Sequence, residues 1–311
     1  MLKNKPIAVL MEQGGPAMQS RKRTIIGYLF LIPTIAVFVI LIAYPVFSTI
    51  RMSFYSYRVQ TIKEGMKWIG LKNYLAMLKD PKVLETLLFT LKFTIVSVAL
   101  ETTLGMICAL IMNRHFKGQA FVRAMILIPW CIPTIVSGLM WSYMYAESFG
   151  IINFALLKLG IVREPVRWIT DTKCAFWAVI IADVWKTVPY MSLLLLSGLK
   201  TVSKDYVEAA AIDGAGGVRT LFQIVLPNMK SVVLVSVMFR TIASFRIYDL
   251  IKVLTNGGPQ GTTKSLTMYA MEQYFTNGNM GYGAALATLT FGVSILIALC
   301  FSDAVKTKME V

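Results

Sequence analysis

Histidine is almost missing from this 311-residue sequence, which holds only His115, and cysteine is limited to four positions. Cys108, Cys131, Cys174 and Cys300 stand far apart, with no CxxC pair and no histidines at ligand spacing. Such a set builds neither a zinc site nor a disulfide framework. Three of the four lie in apolar runs, where a cysteine behaves as a small hydrophobe. His115, within Asn113-Arg114-His115-Phe116-Lys117, reads as a solvated loop residue. Charge is scarce too: 15% of residues carry it, against about 25% in a soluble domain. A GxxxxGK[ST] phosphate loop is absent, because Gly261-Thr262-Thr263-Lys264-Ser265 lacks the Gly-Lys pair. No catalytic triad or carboxylate pair stands out, and the chain does not read as an enzyme.

What is abundant is apolar surface. The sequence is 56% hydrophobic, with a mean hydropathy of +0.64. The net charge of +15, from 31 Lys and Arg against 16 Asp and Glu, fits nucleic acid, an acidic partner or a membrane surface. Hydropathy decides for the membrane, because a nucleic-acid binder keeps its basic face in water.

A bilayer core about 30 Å thick takes about 20 helical residues. Six stretches are long enough: Ile25 to Ile50, Leu87 to Met112, Ala120 to Tyr145, Cys174 to Leu199, Ser231 to Leu250 and Tyr282 to Phe301. Most are apolar all round, unlike amphipathic surface helices. Pro33 and Pro45 fall in the first and Pro129 and Pro133 in the third; a helix bundle is expected to accommodate them within continuous spans. The first run is about twice as long as a signal-peptide core, lacks a small-x-small cleavage site and reads as a retained helix. Six spans put both termini on one side. Basic residues divide almost evenly between the sides, so the Arg21-Lys22-Arg23 cluster casts the vote, for cytoplasmic termini. The expected organisation is a basic N-terminal tail over 1–24, a six-span domain over 25–306 and a C-terminal tail over 307–311.

Between the fourth and fifth spans, residues 203–227 read as helix, glycine turn, helix. Ser203 is a good N-cap, Asp205 suits the first turn, and the run around Ala209, Ala210 and Ala211 has high helix propensity. Gly214 supplies a left-handed position to end the helix. A second short helix is expected from Val218 to Val225, stopped by Pro227.

Glu208-Ala209-Ala210, three residues, Gly214, nine residues and Ile224-Val225-Leu226-Pro227 resemble the EAA…G…IxLP loop of ATP-binding-cassette (ABC) importer permeases. Asp183-Val184-Trp185-Lys186-Thr187-Val188-Pro189-Tyr190 and Phe245 through Pro259 are similar to segments of the carbohydrate-uptake branch, closest to the first of the paired permeases of the maltose/multiple-sugar subfamily. Tyr248 stands where Phe is commonest in that branch. The resemblance implies an all-α membrane protein of type I importer architecture whose loop is a cytoplasmic coupling helix seated on an ATPase subunit. Its coupling residues are then Glu208, Ala209, Ala210, Asp213, Gly214, Ile224, Leu226 and Pro227. It also implies a second homologous permease, two cytoplasmic ATPases that bind ATP and Mg, and an extracytoplasmic solute-binding protein. No cofactor is expected on this chain, and its place is the bacterial or archaeal plasma membrane.

Ionisable residues inside spans cost about 2.5–3.5 kcal/mol each on insertion scales and therefore face protein or water. Glu101, Asp183, Lys186, Arg240, Arg246 and Asp249 are in this position. Asp183 with Lys186, and Arg246 with Asp249, have the spacing of pairs on one helix face. For a sugar pathway the candidates are Asp183, Lys186, Thr187, Tyr190, Arg240 and Ser244, whose charges and hydroxyls suit sugar hydroxyls and whose aromatic ring suits a pyranose face. The expected function is ATP-driven import of a sugar, with an oligosaccharide favoured. The rival readings are a phosphorylated polyol or polyamine as cargo, an ion-coupled secondary transporter, and an intramembrane enzyme.

Overall fold

The computed structural model describes residues 28–306, without the side chains of Ile62 and residues 303–306. The Arg21-Lys22-Arg23 cluster, the tail over 1–24 and the tail over 307–311 lie outside the described residues. Two compact units divide at Met52 and Ser53.

The first described unit is one helix, α1 (Tyr28–Met52), long and apolar enough to cross a membrane. A π turn over Val39–Ala43 interrupts its regular bonding, with the Tyr44 amide donating to the Val39 carbonyl. Pro45 follows two residues after this turn. A proline has no N–H to give, and a π turn beside it spreads the gap in the bond ladder without breaking the helix.

In the second unit a two-stranded hairpin comes first, with β1 (Tyr55–Ser56) antiparallel to β2 (Lys67–Trp68) and Tyr55 opposite Trp68. A short helix α2 (Lys72–Lys79) leads into α3 (Pro81–Asn113). The Asp80 carboxylate caps α3 by accepting from the Lys82 amide at 3.0 Å, and Pro81 occupies the first turn. These are standard start signals, and they place the helix start six residues before Leu87.

The third stretch is not the continuous span expected of it. It divides into α4 (Gln119–Cys131) and α5 (Thr134–Met144), bent by 95°. Pro129 is tolerated inside α4, but Ile132 and Pro133 are extended, with ψ of 129° and 141°. Pro133 lacks the amide that would bond Pro129, and its ring drives Ile132 out of the helical region. After α6 (Ile151–Lys158) comes α7 (Thr172–Leu199), capped by Asp171 and unbroken through Pro189.

Next come α8 (Lys204–Ile212), α9 (Gly217–Asn228) and α10 (Lys230–Phe245), the last two bent by 79°. Pro227 does not stop α9 as the sequence suggested. A π turn over Leu221–Val225 precedes it, the helix runs on to Asn228, and the bend falls at Met229. The π turn again ends two residues before a proline, as in α1. Two short helices, α11 (Asp249–Leu254) and α12 (Leu266–Met271), precede α13 (Met280–Lys306). The fifth stretch thus ends at Phe245, not at Leu250. Among the described residues four continuous helices are long and apolar enough to span a membrane, and there are six passes if each bent pair counts once.

The centre is the pairing of α3 with α7. A Cβ on Gly105 would sit 2.9 Å from Met191 Cγ and 3.3 Å from the Ser192 nitrogen, so the small residue sets how closely the two helices approach. Phe89, Phe93, Trp141, Tyr145, Val179 and Ile251 form one buried cluster; Ala109, Met112, Met191, Leu195 and Met229 form another.

Candidate functional site

Two groups of sequence-selected residues occupy separate places. The first is the α8–α9 elbow. The Ser203 hydroxyl accepts from the Asp205 amide at 3.2 Å, which starts α8. At the other end the Gly214 amide donates to the Ala211 carbonyl at 3.1 Å and the Ala215 amide to the Ala210 carbonyl at 2.9 Å. That pair of bonds is the Schellman arrangement, and it needs a left-handed residue at Gly214, whose φ is +76°. A Cβ there would meet nothing within 4 Å, so backbone conformation alone selects glycine.

Ala210 is buried, whereas Glu208, Ala209, Asp213 and Pro227 are exposed and Ile224 and Leu226 are half-buried. Large apolar side chains of the elbow also face outward: Ile212 at 86% exposure, Val218 at 73% and Phe222 at 64%. Exposed apolar groups clustered in this way mark a surface that meets a protein partner or lipid. No ion pair within the described residues engages Glu208.

The second group lies where α3, α7 and α10 meet. Arg240 Nη2 donates to Glu101 Oε1 at 2.7 Å and to Asp183 Oδ2 at 2.8 Å, and Arg240 Nε bonds Glu101 Oε2. The Ser97 hydroxyl lies 2.7 Å from Glu101 Oε1 and 2.8 Å from Asp183 Oδ2. Thr187 Oγ1 is 2.7 Å from Glu101 Oε1 and 2.6 Å from the Asp183 carbonyl. Glu101, Asp183 and Arg240 are 0%, 6% and 7% exposed. Such charges persist in an apolar bundle only when each is paired and hydrogen-bonded.

This geometry corrects two expected pairings. Asp183 bonds Arg240 instead of Lys186, because the guanidinium fork satisfies two carboxylates that an ammonium could not bridge in the same way. Arg246 and Asp249 are both exposed and form no ion pair among the described residues, since α10 ends at Phe245 and no helix carries them through the i,i+3 spacing. Lys186 is half-buried and pairs with no carboxylate among the described residues. Tyr190 stacks on Trp130 with ring centres 5.8 Å apart. Ser244 is buried, and its hydroxyl has no partner among the described residues. Glu101 and Ser97 complete the network although neither was among the pathway candidates; the signal for Glu101 was an acid inside an apolar span that needed a countercharge.

Residues 101–311 match the family described as "Binding-protein-dependent transport system inner membrane component". The trehalose/maltose transport system permease protein MalF of Thermococcus litoralis is 42% identical over 266 residues, which cover 86% of this chain and 88% of that protein. The trehalose transport system permease protein SugA of Mycobacterium tuberculosis is 34% identical, with 92% and 90% covered. Among solved structures, a bacterial ABC transporter involved in import of the acidic polysaccharide alginate superposes with a TM-score of 0.81 at 19% identity, covering 94% of this chain and 99% of that one. At that identity the likeness bears on the fold.

Proposed function

The chain belongs to the binding-protein-dependent transport system inner membrane component family, and from that premise we propose that it carries a sugar, an oligosaccharide in preference to a monosaccharide, through a membrane. It is a permease of an ABC importer, a membrane transport component and not an enzyme. The sugar cargo rests on the trehalose and maltose systems among its relatives.

In this reading a second permease pairs with the chain, two ATPases supply the force through ATP and Mg, and a solute-binding protein delivers cargo from outside. The termini and the elbow face the cytoplasm. The observation that carries the coupling role is the elbow itself: a Schellman-closed alanine helix with Ile212, Val218 and Phe222 exposed beside Glu208, which no ion pair among the described residues engages. Small alanines let a partner backbone approach closely, and Glu208 offers a charge-assisted bond to a basic group of the ATPase. Gly214 sets the turn between α8 and α9, and Asp213, Ile224, Leu226 and Pro227 belong to the same coupling loop. A stiff elbow passes nucleotide-driven closure to a bundle with two packings.

In this reading the half-buried Lys186 and Tyr190 contribute to the sugar pathway, with Trp130, stacked on Tyr190, adding a second aromatic ring. Asp183, Thr187 and Arg240 fasten α3, α7 and α10 together, and Ser244 offers that pathway a buried hydroxyl with no partner among the described residues. The test is a disulfide cross-link from Ala209→Cys to a cysteine in the ATPase groove of the assembled importer, combined with uptake of a labelled sugar panel. The expected outcome is a cross-link formed from the cytoplasmic side and selective uptake of one disaccharide or oligosaccharide. Labelling of Ala209→Cys only from outside the cell contradicts the reading.

A further inference from the structure

Beside the elbow lies a cavity of about 680 Å³ that the transport reading leaves without a role. Its walls come from the α3–α4 loop, the end of α7 and the start of α8. Four basic side chains line it, His115, Arg123, Lys200 and Lys204, against one carboxylate, Glu208. Leu110 and Val225 add apolar wall.

Arg123 gives the cavity a fixed edge. Its Nε and Nη2 both donate to the Met112 carbonyl, at 3.1 and 2.6 Å, and Gln119 Nε2 donates to the same oxygen at 2.9 Å. The half-buried guanidinium is therefore held in place, and its Nη1 makes no hydrogen bond to the described residues. Neither Lys200 nor Lys204 forms an ion pair among the described residues.

We propose that this cavity binds a phosphate-bearing anion, which ties the α3–α4 loop to the root of the elbow. Three permanent cations from two chain segments, Arg123 on one and Lys200 and Lys204 on the other, converge with Glu208 as the one carboxylate in the lining, which suits a group with several charged oxygens better than a single carboxylate. A phosphate is such a group, and the apolar wall accommodates the carbon atoms next to it. Basic pockets between helices at the cytoplasmic face take phospholipid headgroups by the same physics. Two sources share this chemistry, the headgroup of an anionic phospholipid and a soluble phosphate ester. Because Lys200 and Lys204 flank the start of α8, occupancy stiffens the joint through which force enters the bundle. The proposal rests on the elbow lying at the cytoplasmic face.

The test uses the assembled importer in nanodiscs, with two probes. In one arm, native mass spectrometry counts phosphatidylglycerol retained after release from mixed phosphatidylcholine and phosphatidylglycerol discs. In the other, equilibrium binding of labelled glycerol 3-phosphate is measured in discs of phosphatidylcholine alone. Wild type is expected to bind in at least one arm, and the Lys200→Ala, Lys204→Ala double variant to lose about tenfold or more. A Lys200→Arg, Lys204→Arg pair should bind as wild type does. Binding in the first arm alone assigns the headgroup, and in the second alone the soluble ester. No binding in either arm, or equal binding by wild type and the alanine pair, overturns the proposal. Sugar uptake by wild type in proteoliposomes of the same lipids reports separately on the transport reading, so the two can fail independently.

Discussion

Arg240 of α10 meets Glu101 of α3 with two nitrogens on two carboxylate oxygens, across 139 residues of sequence. The same Nη2 reaches Asp183 of α7, so one side chain fastens three helices at a buried point. Removing it leaves two carboxylates buried without a countercharge. Arg240→Leu should destabilise the folded importer by about 3–5 kcal/mol, seen as a fall in its thermal midpoint in detergent. Arg240→Lys should recover only part of the loss, because an ammonium cannot reproduce the fork.

Gly214 separates conformation from contact. Its φ of +76° disfavours any side chain, yet a Cβ at this position would have nothing within 4 Å. Gly214→Val should cost about 1–2 kcal/mol locally and abolish ATP-driven uptake while the protein remains inserted at normal levels. Gly214→Asn, which tolerates the left-handed region, should retain much of the uptake. Comparing membrane content with transport rates for the two variants checks this.

Gly105 is the opposite case, a close approach without special backbone geometry. Gly105→Ala places a methyl 2.9 Å from Met191 Cγ and close to the Ser192 backbone. Neither neighbour is the free end of a side chain, so α3 and α7 must separate slightly. A loss of about 1–3 kcal/mol is expected, read from the thermal midpoint. Because Met191 is itself fully buried, Met191→Ala also costs stability, and the Gly105→Ala, Met191→Ala double variant should lose less than the sum of the two single losses.

Asp80 gives the fold a measurable pH dependence. It accepts hydroxyl bonds from Tyr269 at 2.6 Å and Tyr282 at 2.8 Å. Partial burial works against its charge, but those bonds and the Lys82 amide outweigh it and hold the carboxyl below its ordinary 3.8. A carboxyl depressed on folding stabilises fully above its unfolded pKa, and that contribution disappears as pH falls through the lower folded value. Asp80→Asn should therefore lower the thermal midpoint at pH 7, and the gap from wild type should narrow progressively as pH falls from about 5 through the ordinary 3.8 and then the lower folded value. A gap that stays constant over that range contradicts the assignment.

The passes across the membrane and the elbow were legible because each is written in local chemistry. Ser203, the alanine run and Gly214 specify their own cap, helix and turn, and α8 forms where they place it. Prolines were harder to read. Pro133 breaks its helix while Pro189 and Pro227 do not, since the outcome depends on which neighbours or π turns absorb the missing bond. The Glu101–Arg240 link was not legible: both charges stood out as anomalies, but no spacing rule joins residues on separate helices. The local rule favoured Asp183 with Lys186, and the bundle overrode it by offering Asp183 a better partner.

The central claim is that force enters this chain from outside it, through the elbow. The direct measurement is labelled disaccharide uptake into proteoliposomes that hold both permeases and the binding protein, with and without ATPase subunits and ATP. Uptake should require both the ATPase and the nucleotide, and should vanish with a hydrolysis-deficient ATPase. Concentrative uptake by the two permeases alone, under an ion gradient and without nucleotide, would contradict the account.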